Sequence, residues 1–336
     1  MANRHLDSVD HDDLTSFKLR WIVTGSSITR ESSTGRGNRP CIRMRDDSVA
    51  SLPLTAHATY HIGFAFIPES TSNTRYIAAV TDGSGNVHLW LAYSPTGRIL
   101  VQNASFTTLW TGATALLPNS ENYIEWSSYI HASSGTTAVY LNGSSTPDAT
   151  VYTGNTKGAG TATIGSFAFA GQGAGIYWRW HDFYANDGSG SAPDNTRWGD
   201  TVVLDDEPDA DGTYTGLTVY PSGTAAAALA DGTGHDGDTT RVYGTSGATT
   251  VTFPALSVTA LNIRGAEIEM ISRRTDGTSR TLACRSISGG TTTNSATVNP
   301  GTAYQSDRFR FPVDPDTSAA WVQADLEAAE FGPVIA

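Results

Sequence analysis

The sequence predicts an all-β protein: a large N-terminal sandwich, a second and smaller β domain, and a short C-terminal helix. Three observations carry that prediction. Short runs rich in Val, Ile, Thr, Phe, Tyr and Trp recur along the chain, several of them alternating apolar with polar positions. Turn signals built on Gly, Asn, Asp, Pro and Ser separate these runs, about every ten residues. Only 16% of the 336 residues are charged, against ~25% in an ordinary domain, while 34 Gly and 14 Pro are scattered throughout. This composition suits many short strands and tight turns rather than helices.

The elements follow in order. Residues 60–67 (YHIGFAFI) alternate and then run apolar. Residues 76–81 and 86–93 flank Asp82-Gly83-Ser84-Gly85 and read as a hairpin. Ser94-Pro95-Thr96-Gly97 turns the chain into residues 98–103. Residues 122–132 and 137–141 flank Ser133-Ser134-Gly135-Thr136, and Asn142-Gly143 makes the next turn. Residues 161–170 and 175–185 complete a first domain, 1–203. Residues 204–214 break the pattern with five acidic positions and a Pro. They predict an exposed connector over 204–215, the first place a protease would cut. The second domain, 216–336, carries strand-like runs at 256–263, 266–272, 280–287 and 307–313. Residues 225–230 form an Ala-rich patch too short to assign. Acidic and hydroxyl residues at 314–318, good helix formers over 319–331, and then Gly332-Pro333 predict a terminal helix.

The 33 acidic residues outnumber the 21 basic ones, for a net charge of −12. No nucleic-acid partner is expected, because that binding rests on Lys and Arg neutralising phosphates. No run of about 18 apolar residues exists, so no membrane insertion is expected. Residues 1–21 carry Asp7, Asp10, Asp12 and Asp13 without an apolar stretch, and do not read as a secretory signal. Eight Trp, 13 Tyr and 11 Phe can furnish a core. Cys41 and Cys284 sit in strand-like runs of different domains and read as free, buried thiols.

Few residues suggest chemistry. Glu207-x-Asp209-x-Asp211-Gly212 has the spacing that starts a calcium loop, but Thr218 stands where the bidentate acid belongs. A solvated linker is the simpler reading and a cation site the alternative. Glu121 and Glu125 can share a strand face, and paired carboxylates are what glycoside hydrolysis needs. Glu121, however, sits at a turn edge after Pro118-Asn119-Ser120. His181 and Asp182 are adjacent, so strand alternation points them to opposite faces. There is no nucleophile elbow, phosphate loop or H-E-x-x-H. No catalytic residue, cofactor or metal ligand is therefore expected. Trp178 and Trp180 share one strand face. Exposed, they could stack on sugar rings; packing in the core is the commoner use. Trp90 is ambiguous, because Val87, Leu89 and Leu91 place apolar residues on both faces.

Trp180-His181-Asp182-Phe183-Tyr184-Ala185-Asn186-Asp187-Gly188-Ser189-Gly190 is followed by Asn195-Thr196-Arg197-Trp198-Gly199-Asp200-Thr201-Val202-Val203. Together they resemble the closing strand and exit of the concanavalin A-like, LamG-type jelly roll of tailed-phage structural proteins. Asn122-Tyr123-Ile124-Glu125-Trp126 resembles that family's W-x-x-I-E strand, with Asn122 where Trp is usual. Val139-Tyr140-Leu141-Asn142-Gly143 resembles its N-G hairpin, and residues 160–169 its I-G strand. The tail segments 313–321 and 328–332 are similar as well. The resemblance implies a concanavalin A-like jelly roll in the first domain. It also implies a non-enzymatic component of a bacteriophage virion, either capsid decoration or tail appendage, with other virion proteins as partners. The alternatives are a glycan-binding module that recognises a host surface glycan and, third, a polysaccharide hydrolase. A homo-oligomer, with a trimer favoured, is expected of an appendage that holds by multivalency. Trp321, Leu326 and Phe331 are its candidate subunit anchors, unless the helix packs on its own domain.

Overall fold

The computed structural model describes residues 4–7, 17–18, 20–36, 39–45, 47–171, 176–190, 192–193, 195–230, 236–259 and 262–336. Much of the N-terminal stretch read for a leader, together with Gly175, Ala260 and Leu261, lies outside the described residues. Contacts divide the described chain into two compact units, one of residues 4–7 and 20–203, the other of 17–18 and 204–336.

The first unit contains β1 (Arg4–Asp7), β2 (Ile22–Thr24), β3 (Ile28–Glu31), β4 (Cys41–Met44), β5 (Val49–His57), β6 (Thr59–Pro68), β7 (Arg75–Thr81) and β8 (Val87–Tyr93). It continues with β9 (Arg98–Asn103), β10 (Thr108–Ala115), β11 (Asn122–Tyr129), β12 (Gly135–Leu141), β13 (Tyr152–Gly154), β14 (Ile164–Ala170) and β15 (Trp178–Asp187). One sheet has the order β13-β12-β11-β6-β15-β4-β3, with β1 also on β15. The other has the order β10-β9-β8-β7-β14-β5-β2. Neighbours pair antiparallel, and the two sheets form a β-sandwich. Side-chain alternation builds its core. On β6, Tyr60, Ile62, Phe64 and Phe66 turn inward. Phe64 meets Phe169 of the other sheet with centroids 5.2 Å apart, and Trp178 meets Tyr93 at 5.6 Å. Ala65, on the other face of β6, is buried too, in a small cluster with Tyr123, Tyr184 and Trp198. That second cover is why 60–67 drifts from alternating to wholly apolar.

The second unit contains β16 (Ala210–Thr215), β17 (Thr218–Tyr220), α1 (Ala225–Leu229), β18 (Arg241–Tyr243), β19 (Gly247–Thr252) and β20 (Ala266–Ser272). β21 (Leu282–Ser288), β22 (Thr291–Asn294), β23 (Gln305–Phe311), α2 (Gln323–Glu327) and β24 (Glu330–Ile335) follow. A five-stranded sheet runs β16-β19-β24-β21-β22, beside the ribbons β17-β18 and β20-β23. Several expectations change here. The acidic connector is shorter than 204–215, because β16 pairs with β19 from Ala210 onward. The Ala-rich patch is the short helix α1, capped by the Thr224 hydroxyl accepting from the Ala227 N–H. Residues 256–259 and 262–263 are irregular, not strand. The terminal helix is confined to Gln323–Glu327, and Phe331 lies in β24.

Cys41 and Cys284 are free and buried. Burial pushes the Cys41 thiol up to about 11 and the Cys284 thiol up to about 12. Among the described residues, no helix is long and apolar enough to cross a membrane.

Candidate functional site

The outer face of the seven-stranded sheet is small in its middle and aromatic at one side. β14 alternates Phe167 and Phe169 inward with Ser166, Ala168 and Ala170 outward. Strand register continues one outward row across the sheet through Ser51, Ala168, Ala79, Trp90, Gln102 and Thr108. The small members of this row and its neighbours leave an open groove of about 400 Å³ with Trp90 on its wall. Ser51 and Ser166 share a hydroxyl–hydroxyl bond of 2.7 Å on its floor. Beside Trp90, the Gln102 amide donates to Thr108 Oγ1 at 3.1 Å, while its buried Oε1 has no partner among the described residues.

Trp90 belongs to a three-ring platform. Tyr76 lies 5.0 Å from it and Phe106 6.2 Å, centroid to centroid, and the Phe106 and Trp90 planes are inclined by only 24°. Phe106 is 56% exposed and has a φ of 63°. Its loop explains why this is unusual. Three hairpins of the sheet share one five-residue pattern, closed by bonds from the fourth N–H to the first carbonyl and from the first N–H to the fifth carbonyl. These loops are 82–86, 94–98 and 103–107. The fourth position is left-handed in all three: Gly85 at 84°, Gly97 at 80°, and Phe106. This geometry calls for glycine. An L-residue there costs about 1–2 kcal/mol. In the third loop the glycine position is occupied by an exposed aromatic ring aimed back at Trp90.

The β7–β8 loop forms the rim at the other margin. Asp82 is buried and accepts from the Ser84 and Asn86 N–H groups at 2.9 Å each, from Asn86 Nδ2 at 3.0 Å and from the Thr161 N–H at 3.2 Å. Buried His88 pins the adjoining segment, accepting from the Gly158 N–H at 3.0 Å. The Asn86 amide, aided by the backbone donors and opposed by burial, holds the Asp82 carboxyl down to about 2 from an ordinary 3.8. A folded-state pKa below the unfolded value stabilises above the unfolded value, and the gain is lost as pH falls. The Asp82 contribution is therefore expected to be complete above pH ~4 and to disappear towards pH ~2, at about 1–2 kcal/mol. An acid melting series comparing the protein with Asp82→Asn tests this. The stability difference between them should shrink across that window, and a constant difference would refute the assignment.

The outer face of the eight-stranded sheet gathers the other polar residues singled out by sequence. Segment 195–203 lies across it. Glu125, 1% exposed, accepts from Arg197 Nη1 at 2.7 Å, from the Gly199 N–H at 2.8 Å and from the Tyr184 hydroxyl. Arg197 also lies over the Tyr140 ring, 3.4 Å from its centroid. Burial, together with the Glu125 charge, pushes the Tyr184 phenol well above its usual value. Glu121 instead pairs with Arg36 at 2.7 Å. The two carboxylates thus belong to different ion pairs.

His181 and Asp182 correct the alternation argument. A bulge between His181 and Tyr184 interrupts the β15–β6 ladder, with Asp182 at a φ of 51°. His181 Nδ1 consequently lies 3.3 Å from Asp182 Oδ2. The pair is nonetheless engaged elsewhere: His181 Nε2 accepts from the Arg36 N–H at 2.6 Å. Asp182 accepts from Arg39 Nη2 at 2.7 Å and from the Val203 N–H at 3.0 Å. Burial raises the Asp182 pKa, but the His181 and Arg39 contacts outweigh it and hold the carboxyl below its ordinary value. His61 Nδ1 and Ser127 Oγ are 2.8 Å apart. Burial, with the nearby Arg197 charge, pushes His61 down to about 4.

The remaining sequence candidates fall out of the site. Trp178 and Trp180 are 0% and 1% exposed between the sheets and offer no face to a sugar. Trp321 and Phe331 are core residues of the second unit, with Leu326 packed against them, so they anchor that unit internally. Trp321 Nε1 donates to the Phe311 carbonyl at 2.9 Å. Asp209 accepts from Thr252 Oγ1, and Asp211 from the Ala226 N–H, so the calcium-like spacing does not converge. Among the described residues, no group of three or more His, Cys, Asp and Glu is placed to hold a metal. Tyr76 and Phe106 went unnoticed in the sequence. The signal was there, as a Phe at the glycine position of a repeated loop pattern.

The protein is thus an all-β chain whose sandwich carries a groove walled on one side by Trp90, with Tyr76 and Phe106 packed against that ring. No protein-family model and no curated protein matches it. Among solved structures it is similar to a sialidase at 12% identity and a TM-score of 0.35, over 56% of this chain and 19% of that one. It is also similar to domain 4 of an extracellular arabinanase from Geobacillus stearothermophilus in complex with arabinotriose, at 14% identity and a TM-score of 0.34. That match covers 55% of this chain and 82% of the domain. The Trypanosoma rangeli sialidase in complex with sialic acid matches at 11% identity and a TM-score of 0.32, over 48% of this chain and 29% of that one. The chain thus spans under a third of the sialidases it matches. These findings correct two expectations. A virion component and the absence of enzymatic activity were implied by the phage resemblance, whereas the solved structures it is similar to are sialidases and an arabinanase domain. Neither expectation is retained.

Proposed function

We propose that the first unit is a glycan-binding sandwich of the concanavalin A-like type, with the groove on its seven-stranded sheet as the binding face. Phe106 carries this reading. Folding alone favours glycine at its position, as Gly85 and Gly97 illustrate in the sister loops. An exposed ring held there against a backbone cost, stacked on the Trp90 ring that forms the groove wall, is strain placed beside the surface a ligand would meet. Flat aromatic faces suit the C–H faces of pyranose rings, and the groove's hydroxyls suit their edges.

Phe106→Gly separates binding from folding. It relieves about 1–2 kcal/mol of backbone strain and forfeits about 1 kcal/mol of ring contact. Stability should therefore stay within about 1 kcal/mol of the parent. Glycan affinity should fall several-fold, and Trp90→Ala should lower it about tenfold, or about 1.4 kcal/mol. A glycan array followed by titration of the best hit provides the measurement. Binding that survives both substitutions would place the ligand elsewhere.

A further inference from the structure

We infer that this groove selects uncharged glycan chains and rejects chains carrying carboxylate or sulfate; the inference rests on the glycan-binding reading of the same face. Among the described residues lining the groove there is no Lys, Arg or His. An acidic sugar entering it would give up the hydration of its charge and gain no counter-charge in return. The lining's one ionisable group is the Asp82 carboxylate, which is occupied by its own loop donors and repels a second anion. The whole chain carries −12, so the long-range field also disfavours anionic polymers.

What the lining offers suits neutral sugars. Trp90, Val49, Pro53 and Ala168 provide apolar surface, and the Ser51–Ser166 pair provides hydroxyls. Two hydroxyls that share one hydrogen bond retain one further donor proton and free lone pairs between them. Hydroxyl-to-hydroxyl bonding of that kind meets a neutral sugar without burying a charge.

The test is calorimetric titration of the full chain with neutral gluco-, xylo- and manno-hexasaccharides, set beside oligogalacturonate and a sialylated oligosaccharide. At least one neutral chain is expected to bind, at least tenfold more tightly than either acidic probe, and to lose about tenfold in Trp90→Ala. If an acidic probe binds as tightly and is also lost in Trp90→Ala, the groove remains a glycan site and its selectivity for neutral chains is wrong. If no probe binds, or if binding ignores Trp90→Ala, the glycan-binding reading and the selectivity fall together. Trp90→Phe, which keeps a flat ring, should retain most of the affinity; its loss alongside a normal melting curve would show that the ring does not act by stacking.

Discussion

Glu125→Ala is expected to destabilise the sandwich by about 3–5 kcal/mol, because it strands several donors at once. The Arg197 guanidinium, the Gly199 N–H and the Tyr184 hydroxyl all converge on this one carboxylate. Tyr184 in turn accepts from the Trp198 N–H at 3.0 Å, so the cover formed by 195–203 loosens with it. In a unit of this size, 1 kcal/mol moves the melting temperature by about 2–4 °C, which gives a drop of roughly 10 °C. Glu125→Gln retains one acceptor oxygen and should cost about half as much. Glu125→Ala combined with Arg197→Met removes both charges and should recover part of the loss. Thermal melts followed by near-ultraviolet circular dichroism suffice. A melting point within about 2 °C of the parent for Glu125→Ala would mean that the network contributes little.

The same residue marks how far the sequence could be read. Hairpins were legible because their turns are local: Asp82–Asn86 and Ser94–Arg98 announce themselves by Gly and Asp or Ser at fixed offsets. Pairings such as β6 with β15 were not legible. They join segments more than a hundred positions apart, and strand propensity says nothing about which partner wins. Alternation misled at His181 and Asp182, because a single bulge residue puts both on one side of the sheet. Gly332-Pro333 reads as a helix stop, yet it lies inside β24. Pro333 is tolerated there because the β19 ladder pairs Ala248 with Val334 and Val251 with Phe331, skipping Gly332 and Pro333. At Gly332 the backbones come so close that a Cβ would sit 2.1 Å from the Thr249 carbonyl oxygen. Trp90 stayed ambiguous in sequence for a physical reason as well. Leu89 and Leu91 fill the inner face while Val87 and Trp90 line the outer groove, so both faces are apolar.

Trp180→Ala should cost about 3–5 kcal/mol, a melting shift of roughly 10 °C, and so behave unlike a ligand-stacking residue. Its ring lies 5.1 Å from Phe169 of the opposite sheet and 6.1 Å from Phe66 on the neighbouring strand, centroid to centroid. Truncation would open a cavity that these neighbours can close only by bending two sheets. The indole N–H adds a second term. Both Trp178 Nε1 and Trp180 Nε1 are buried with no hydrogen-bond partner among the described residues. A buried unpaired donor is itself destabilising by about 1–3 kcal/mol. Trp180→Phe deletes that donor while keeping most of the apolar volume, so the two changes oppose each other and the net cost should stay near 1 kcal/mol. Trp90→Ala, at a half-buried ring on the outer face, should cost only about 1 kcal/mol in stability. The comparison is made on one set of denaturant curves with unchanged slope. Trp180→Ala far below the parent, with Trp180→Phe and Trp90→Ala close to it, is the expected order. Equal and small losses at Trp180 and Trp90 would mean that Trp180 is not the packed core residue its burial indicates.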